Sequence, residues 1–298
     1  MKNRTNTTIM KDPAYQETKR HSDTMFAFNI YPCTIPTDFT FVPLHWQESM
    51  EIIYVKQGSG IVQVDLTSYT AQAGDIFFVL PGHLHGLRRV PKMRMEYENI
   101  IFDMNFLGSD NVDLCSQKYL RPIINGTIQF PPRIGREHPL YAQVSSCLDA
   151  SDRLCSLRPN GYELGVKGNL LVLFSILLQT AEDKDEYPAD HKNMQKLKTV
   201  LSRIEKDYNK KLTVNSIADE CGYSPSHFMR WFKEATGTGF AGYLIEYRLN
   251  QAARALRSSN VSILEIAQQT GFDNLSNFNR LFKRRFEMTP SQFRRQEL

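Results

Sequence analysis

IADECGYSPSHFMRWFKEATG (residues 217–237) and IAQQTGFDNLSNFNRLFKRRFE (residues 266–287) are two divergent copies of one pattern. Ile217-Ala218, Gly222 and Tyr223 return as Ile266-Ala267, Gly271 and Phe272 at an offset of 49. Phe228, Arg230, Phe232 and Lys233 return as Phe278, Arg280, Phe282 and Lys283 at an offset of 50. A self-similarity of this kind marks a repeated supersecondary unit. In each copy a short helix closes on a glycine, which tolerates the left-handed backbone of an abrupt helix exit. A second helix begins almost at once. Ser224-Pro225 offers a cap and a proline suited to the first helical position, and Asp273 or Asn274 can cap the other copy. Helix, tight turn, helix is the arrangement that lays its second helix in the DNA major groove.

Helical spacing divides the second helix of the first copy into two faces. Phe228, Trp231 and Phe232 form an apolar stripe assigned to the core, while Ser226, Met229, Arg230 and Lys233 fall on the other side. In the second copy Ser276, Asn277, Arg280 and Lys283 take the same side, with Asn274 at the helix start. An arginine so placed can give two donors to guanine, and Asn277 can pair with adenine; a phosphate contact from the same side chains positions without reading. Charge agrees with a nucleic-acid partner. Residues 191–298 hold 18 Lys plus Arg against 10 Asp plus Glu, a net of +8, whereas residues 1–190 hold 18 against 22, a net of −4. Such a segment attracts phosphate backbones, although acidic proteins and membranes attract it too.

The stretch GFDNLSNFNRLFKRRFEMTPSQFRR, Gly271 to Arg295, resembles the AraC/XylS-type regulators, and the likeness extends over residues 193–298. The resemblance implies two helix-turn-helix units, about 213–237 and 262–286, bridged by a long helix at Phe240–Leu256 that sets both readers on one side of the duplex. A homodimer on double-stranded DNA is expected, since paired half-sites increase specificity, and the cysteine usage fits a cytoplasmic chain. RNA polymerase becomes a partner where the chain is an activator. The family usually has glycine before its xTP segment; this chain has Glu287, so the end of the second reading helix is expected to differ in detail.

From Met25 to Asp103 the pattern turns β. Short apolar or alternating runs, Glu51–Val55, Gly60–Leu66 and Asp75–Leu80, are separated by glycine and proline turns. From His138 it is helical, through LYAQVSSCLDASDRLC and ELGVKGNLLVLFSILLQTAED, a hairpin at 138–182 whose apolar faces need cover and which is therefore the candidate for dimerisation. Residues 183–192 read as a linker and residues 1–24 as a loose tail without the apolar core of a secretory signal. No uninterrupted apolar stretch approaches the roughly 18 residues that would suggest a membrane span. The strongest, Leu170 to Leu178, is broken by Ser175 and reads as a buried helix. Five cysteines with no CxxC spacing point to a reducing compartment rather than to disulfides or a zinc module.

HWQESMEIIYVKQGSG, from His45, and GDIFFVLPGHLHGL, from Gly74, look like the two halves of a cupin barrel, as in the sugar-sensing members of the same family. Cupin enzymes hold a metal with HxH, a glutamate four residues later and a later histidine. The matching positions here are His45, Gln47, Glu51 and His85, of which three are good ligands. A metal-free pocket taking a small polar effector, a sugar, is therefore expected, lined by His45, Gln47, Glu51 and His85.

The expected architecture is α+β: a β cupin barrel at 25–137 with a helical hairpin, followed by an all-α domain of two helix-turn-helix units. The expected function is regulation of carbohydrate genes through DNA binding, with neither cofactor nor catalytic residue. A metal-dependent cupin enzyme carrying an accessory DNA-binding domain is the alternative. It would need a complete ligand set and a catalytic acid or base, and the sequence shows no Ser-His-Asp arrangement, phosphate-cradling glycine loop or nucleotide fingerprint.

Overall fold

The computed structural model describes residues 26–38, 41–108, 113–183 and 189–295. The expected tail and residues 184–188 of the expected linker lie outside them. Seven main antiparallel strands build the N-terminal half: β1 (Phe28–Ile35), β2 (Phe41–His45), β3 (Met50–Val64), β4 (Thr67–Gln72), β5 (Ile76–Val79), β6 (His85–Arg88) and β7 (Met95–Phe102). A short helix α1 (Arg121–Ile124) and the two-residue strands β8 (Ile128–Gln129) and β9 (Arg133–Ile134) lead to helices α2 (Tyr141–Leu157) and α3 (Tyr162–Leu177). The fold is α+β, as its sequence implies.

The segments Glu51–Val55 and Gly60–Leu66, expected as separate strands, are one. β3 pairs with β7 and β5 through its first half and with β4 and β6 through its second. A bulge between Val55 and Gln57 lets it pass from one sheet to the other. Gly58 makes the bend possible: its φ is +74°, and a Cβ there would lie 1.8 Å from Arg94 O.

Alternate residues of this sheet serve two cores. Ile53, Val55, Phe77, Val79, Met95 and Tyr97 fill the barrel interior, while Met50, Ile52, Ile76, Phe78, Ile100 and Phe102 pack outward against Val144, Leu148, Leu170, Leu173 and Phe174 of the hairpin. Burial on both faces is why the strands read as unbroken apolar runs. The hairpin's apolar face is thus covered within the chain, which corrects the reason given for dimerisation. Tyr162–Thr180 is, among the described residues, the one helical stretch long and apolar enough to cross a membrane, and its inner face belongs to this core.

Strand β10 (Glu182–Asp183) pairs with β8, and α4 (Ala189–Asp207) begins inside the span expected as linker. Then follow α5 (Val214–Glu220), α6 (Pro225–Thr236), α7 (Phe240–Ser258), α8 (Ile263–Gln269), α9 (Leu275–Phe286) and α10 (Pro290–Arg295). One core gathers Leu197, Leu201 and Ile204 of α4 with Ile217, Phe228, Phe232 and the first half of α7. A separate core joins the second half of α7 to Ile266, Phe278, Phe282 and Phe293.

Glu287 occupies the left-handed exit of α9 with φ +61°, the place that Gly237 takes after α6 with φ +71°. The helix end is therefore conserved between the copies in geometry and not in residue. A left-handed conformation costs a residue with a Cβ about 1–2 kcal/mol, whereas its exposed contact to Arg89, at 3.6 Å, contributes little. Glu287→Gly is expected to stabilise the second unit by about 1 kcal/mol, after allowing for glycine's greater freedom in the unfolded chain. A urea midpoint that fails to rise would mean that the Arg89 contact outweighs the backbone strain.

Candidate nucleic-acid interface and effector cavity

Both reading helices are fixed at their starts by side-chain caps. Ser224 Oγ accepts from the His227 N–H at 3.3 Å, and Asn274 Oδ1 accepts from the Asn277 N–H at 2.9 Å. The aromatic stripe turns inward: Phe228, Trp231 and Phe232 are buried, as are Phe278, Leu281 and Phe282 in the second copy. Ser226, Met229, Arg230, Lys233, Asn274, Ser276, Asn277, Arg280 and Lys283 are all exposed.

Two of these positions are more particular than spacing alone could say. Asn274 has its side-chain oxygen committed to the cap, which positions the helix start and leaves only its amide nitrogen for DNA. Asn277 Oδ1 accepts from Arg280 Nη2 at 2.8 Å, which holds the guanidinium above the helix. Arg285, in the same turn as Lys283, pairs instead with Glu246 on α7 and is structural. Sequence reasoning missed a column beside α6. His227 stacks on Tyr223 at 4.4 Å, and the Lys196 ammonium lies 4.0 Å from the centre of the tyrosine ring. The spacing of four between Tyr223 and His227 was its only local signal.

His45, Gln47, Glu51 and His85 come together, but in a closed cluster. All four are buried, none more than 5% exposed. His85 Nε2 lies 2.9 Å from Glu51 Oε2, and Gln47 Nε2 donates to the same oxygen at 3.0 Å. His45 Nδ1 donates to Pro43 O at 2.9 Å, and the two imidazole rings are 4.0 Å apart. A carboxylate taken out of water needs such partners. The donor atoms of His45, Glu51 and His85 lie within 4.8 Å of one another, the one such set among the described residues. Two imidazoles and a carboxylate are ligands that suit a divalent ion such as zinc.

The cavity lies elsewhere. A space of about 650 Å³, within the usual range for ligand sites, opens between the β3–β4 turn, the 78–83 segment, the 124–132 loops and α4. Leu66, Phe78, Leu80, Ile124, Phe130 and Met194 contribute its apolar wall, and Asp65, His83 and Lys198 stand on its polar side. None of His45, Gln47, Glu51 or His85, the expected effector set, lines it. The cluster backs onto it instead. Gly82 N–H donates to Gln47 O at 2.8 Å, and Gly82 O accepts from Lys198 Nζ at 2.5 Å.

The barrel is docked on the first reading unit at this place. Leu44 and Leu84 enter the core formed by α4, α6 and α7. Buried Gln63 donates from one amide nitrogen to Asp65 O at 2.9 Å and to Ala235 O, in the last turn of α6, at 2.6 Å. Tyr243 OH on α7 donates to Leu44 O at 3.4 Å. Arg88 lies against Gly237 at the exit of α6, and burial lowers its guanidinium below the ordinary arginine range.

Comparison with known proteins agrees with this division. Residues 217–296 match the family described as "Helix-turn-helix domain", and residues 34–151 match "AraC-like ligand binding domain". The chain is 22% identical over 290 residues to an uncharacterised HTH-type transcriptional regulator, YdeC, of Bacillus subtilis, covering 95% of this chain and 97% of that one. It is 40% identical over 102 residues to the transposon Tn10 TetD protein of Escherichia coli, covering 34% and 74%. It is 24% identical over 257 residues to the Msm operon regulatory protein of Streptococcus mutans, covering 84% and 85%.

Proposed function

The chain belongs to the AraC family of transcriptional regulators, and from that premise we propose that a small molecule in the cavity sets how its two reading helices engage DNA. The observation that carries this reading is α4, which serves two masters. Leu197, Leu201 and Ile204 anchor the helix in the core of the first reading unit, while Met194, Gln195 and Lys198 of the same helix line the cavity. A ligand that favours one placement of α4 must favour one placement of α6, because packed cores shift between discrete arrangements rather than deform smoothly. The ligand's leverage equals its difference in affinity for those arrangements.

The expectation of a sugar rested on the resemblance to sugar-sensing members of the family, with His45, Gln47, Glu51 and His85 facing an open pocket. With those four closed on one another, the effector's chemistry is read from the cavity. The proposed partner is double-stranded DNA with two dissimilar short elements about 10 bp apart, one for each reader, in successive major grooves. Selection from a random duplex library with the full chain tests this. A bipartite enriched sequence supports it, and enrichment of nothing beyond the starting pool overturns it.

A homodimer is proposed as well. Leu157 and Leu164 are 79% and 77% exposed on the hairpin, and Leu171 and Val172, two turns further along the Leu164 side of α3, are exposed as well. Apolar side chains grouped on one surface mark contact sites. Leu164→Glu is expected to convert a dimer to a monomer in light scattering; wild-type protein that is monomeric both alone and on DNA would remove this element.

A further inference from the structure

We propose that the cavity between the barrel and the first reading unit is a site for a monocarboxylate with an apolar body, its acid group anchored on Lys198. The proposal rests on the regulatory reading above and names the chemistry of its effector.

Among the described residues, Lys198 is the one lysine or arginine that lines the cavity. Its ammonium has three donors. One goes to Gly82 O, and the Trp46 ring lies 5.7 Å away; among the described residues no carboxylate stands within ion-pair distance of it. Asp65 is near but already engaged. Its Oδ2 is 2.6 Å from His83 Nδ1 and its Oδ1 accepts from the Leu84 N–H at 3.0 Å. Asp65 also sits at φ +52°, a strained conformation held by the surrounding turn, and such strain gathers at functional positions. The turn thus commits Asp65 to His83, and the lysine has no direct ion-pair partner among the described residues. A half-buried cation in that condition is unfavourable unless something pairs with it. Burial does lower the Lys198 ammonium below the ordinary lysine value, against the opposing pull of Asp65 and Glu48.

The rest of the lining narrows the class. Phe78, Leu80, Ile124, Phe130 and Met194 call for an apolar body. One ammonium, with no arginine fork beside it among the described residues and Asp65 close by, suits a single negative charge and a single charge-assisted hydrogen bond. A phosphate monoester, with more charge and more acceptors, would leave both unmet. A neutral sugar would leave the lysine without a charged partner and would not fill the apolar part of the wall formed by Phe78, Leu80, Ile124, Phe130 and Met194.

The test uses the full chain with decanoate and its matched alcohol, 1-decanol, in calorimetric titration, together with DNA binding to the selected sequence. Decanoate is expected to bind at least about tenfold more tightly than the alcohol, the gain from one charge-assisted hydrogen bond. Lys198→Gln should remove that preference, and Lys198→Arg should retain most of it, while circular dichroism verifies that both variants fold. Decanoate should shift the affinity for DNA in wild type and not in Lys198→Gln. Equal binding of acid and alcohol, binding of neither, or a preference that survives Lys198→Gln would overturn the assignment. If decanoate binds through Lys198 but no DNA sequence is selected, the site stands and the regulatory reading falls. If a sequence is selected and the acid has no advantage, the regulatory reading stands and this site falls.

Discussion

Phe232→Ala should destabilise the protein by about 3–5 kcal/mol, the usual cost of deleting a buried phenylalanine. Phe232 is fully buried, and its ring meets those of Phe228, Phe240 and Tyr243 at 5.5 to 5.6 Å between centres. The same core holds Leu44 and Leu84 of the barrel and Leu197 and Leu201 of α4. The loss should therefore loosen the docking of the barrel as well as the first reader, and protection from hydrogen exchange should fall on α4, α6 and the 82–85 segment together. Phe282→Ala, in the separate second core, is expected to leave that protection unchanged. Equal loss of protection at the barrel in both variants would show that the two cores melt as one.

The second large effect concerns recognition. Arg280→Ala is expected to weaken binding to the selected sequence by ~1–3 kcal/mol if its guanidinium reads a base edge, with little change on unrelated duplexes. Arg280 is favoured over Arg230 for this role because Asn277 already orients it, at 2.8 Å, so less freedom is lost on binding. A uniform loss on all sequences would make Arg280 a phosphate contact. Lys283→Ala serves as the reference: one fewer phosphate contact should lower the salt dependence by about one unit of slope, leaving sequence preference intact. Unchanged affinity and slope would remove Lys283 from the interface.

What could be read from residues alone was whatever local rules govern. The repeat, the glycine exits at Gly222 and Gly271, the caps and the inward aromatic stripe all depend on neighbours a few positions apart, and a linear pattern carries such information. The cavity does not belong to that class. Leu66, Phe78, Ile124, Phe130 and Lys198 come from stretches scattered over 130 residues, and no spacing rule relates them. The four residues from His45 to His85 do meet, as their positions implied, but they are buried and bonded around Glu51, away from the cavity, with Gln47 Oε1 left without a hydrogen-bond partner. Asn274 shows a subtler limit. Its exposure was foreseeable, yet a side-chain oxygen can cap a helix or face a base, and only geometry decides between them.

Helix α7 carries two cores on one rod. Phe240, Tyr243, Leu244 and Tyr247 belong to the first reader, and Leu249, Ala252, Ala253 and Leu256 to the second. Because the barrel's Leu44 and Leu84 join the first core, whereas among the described residues the barrel meets the second reader only through surface contacts such as Arg89 to Glu287, a signal from the proposed effector would reach the two readers unequally. On DNA this makes the second reader a mooring. While it holds, a first reader that has let go remains at an effective concentration on the order of millimolar near its own site. Its return is then quick compared with a fresh encounter from solution. The effector would set how often the first grip is renewed, and the time a protomer stays at its address would exceed what either grip alone allows.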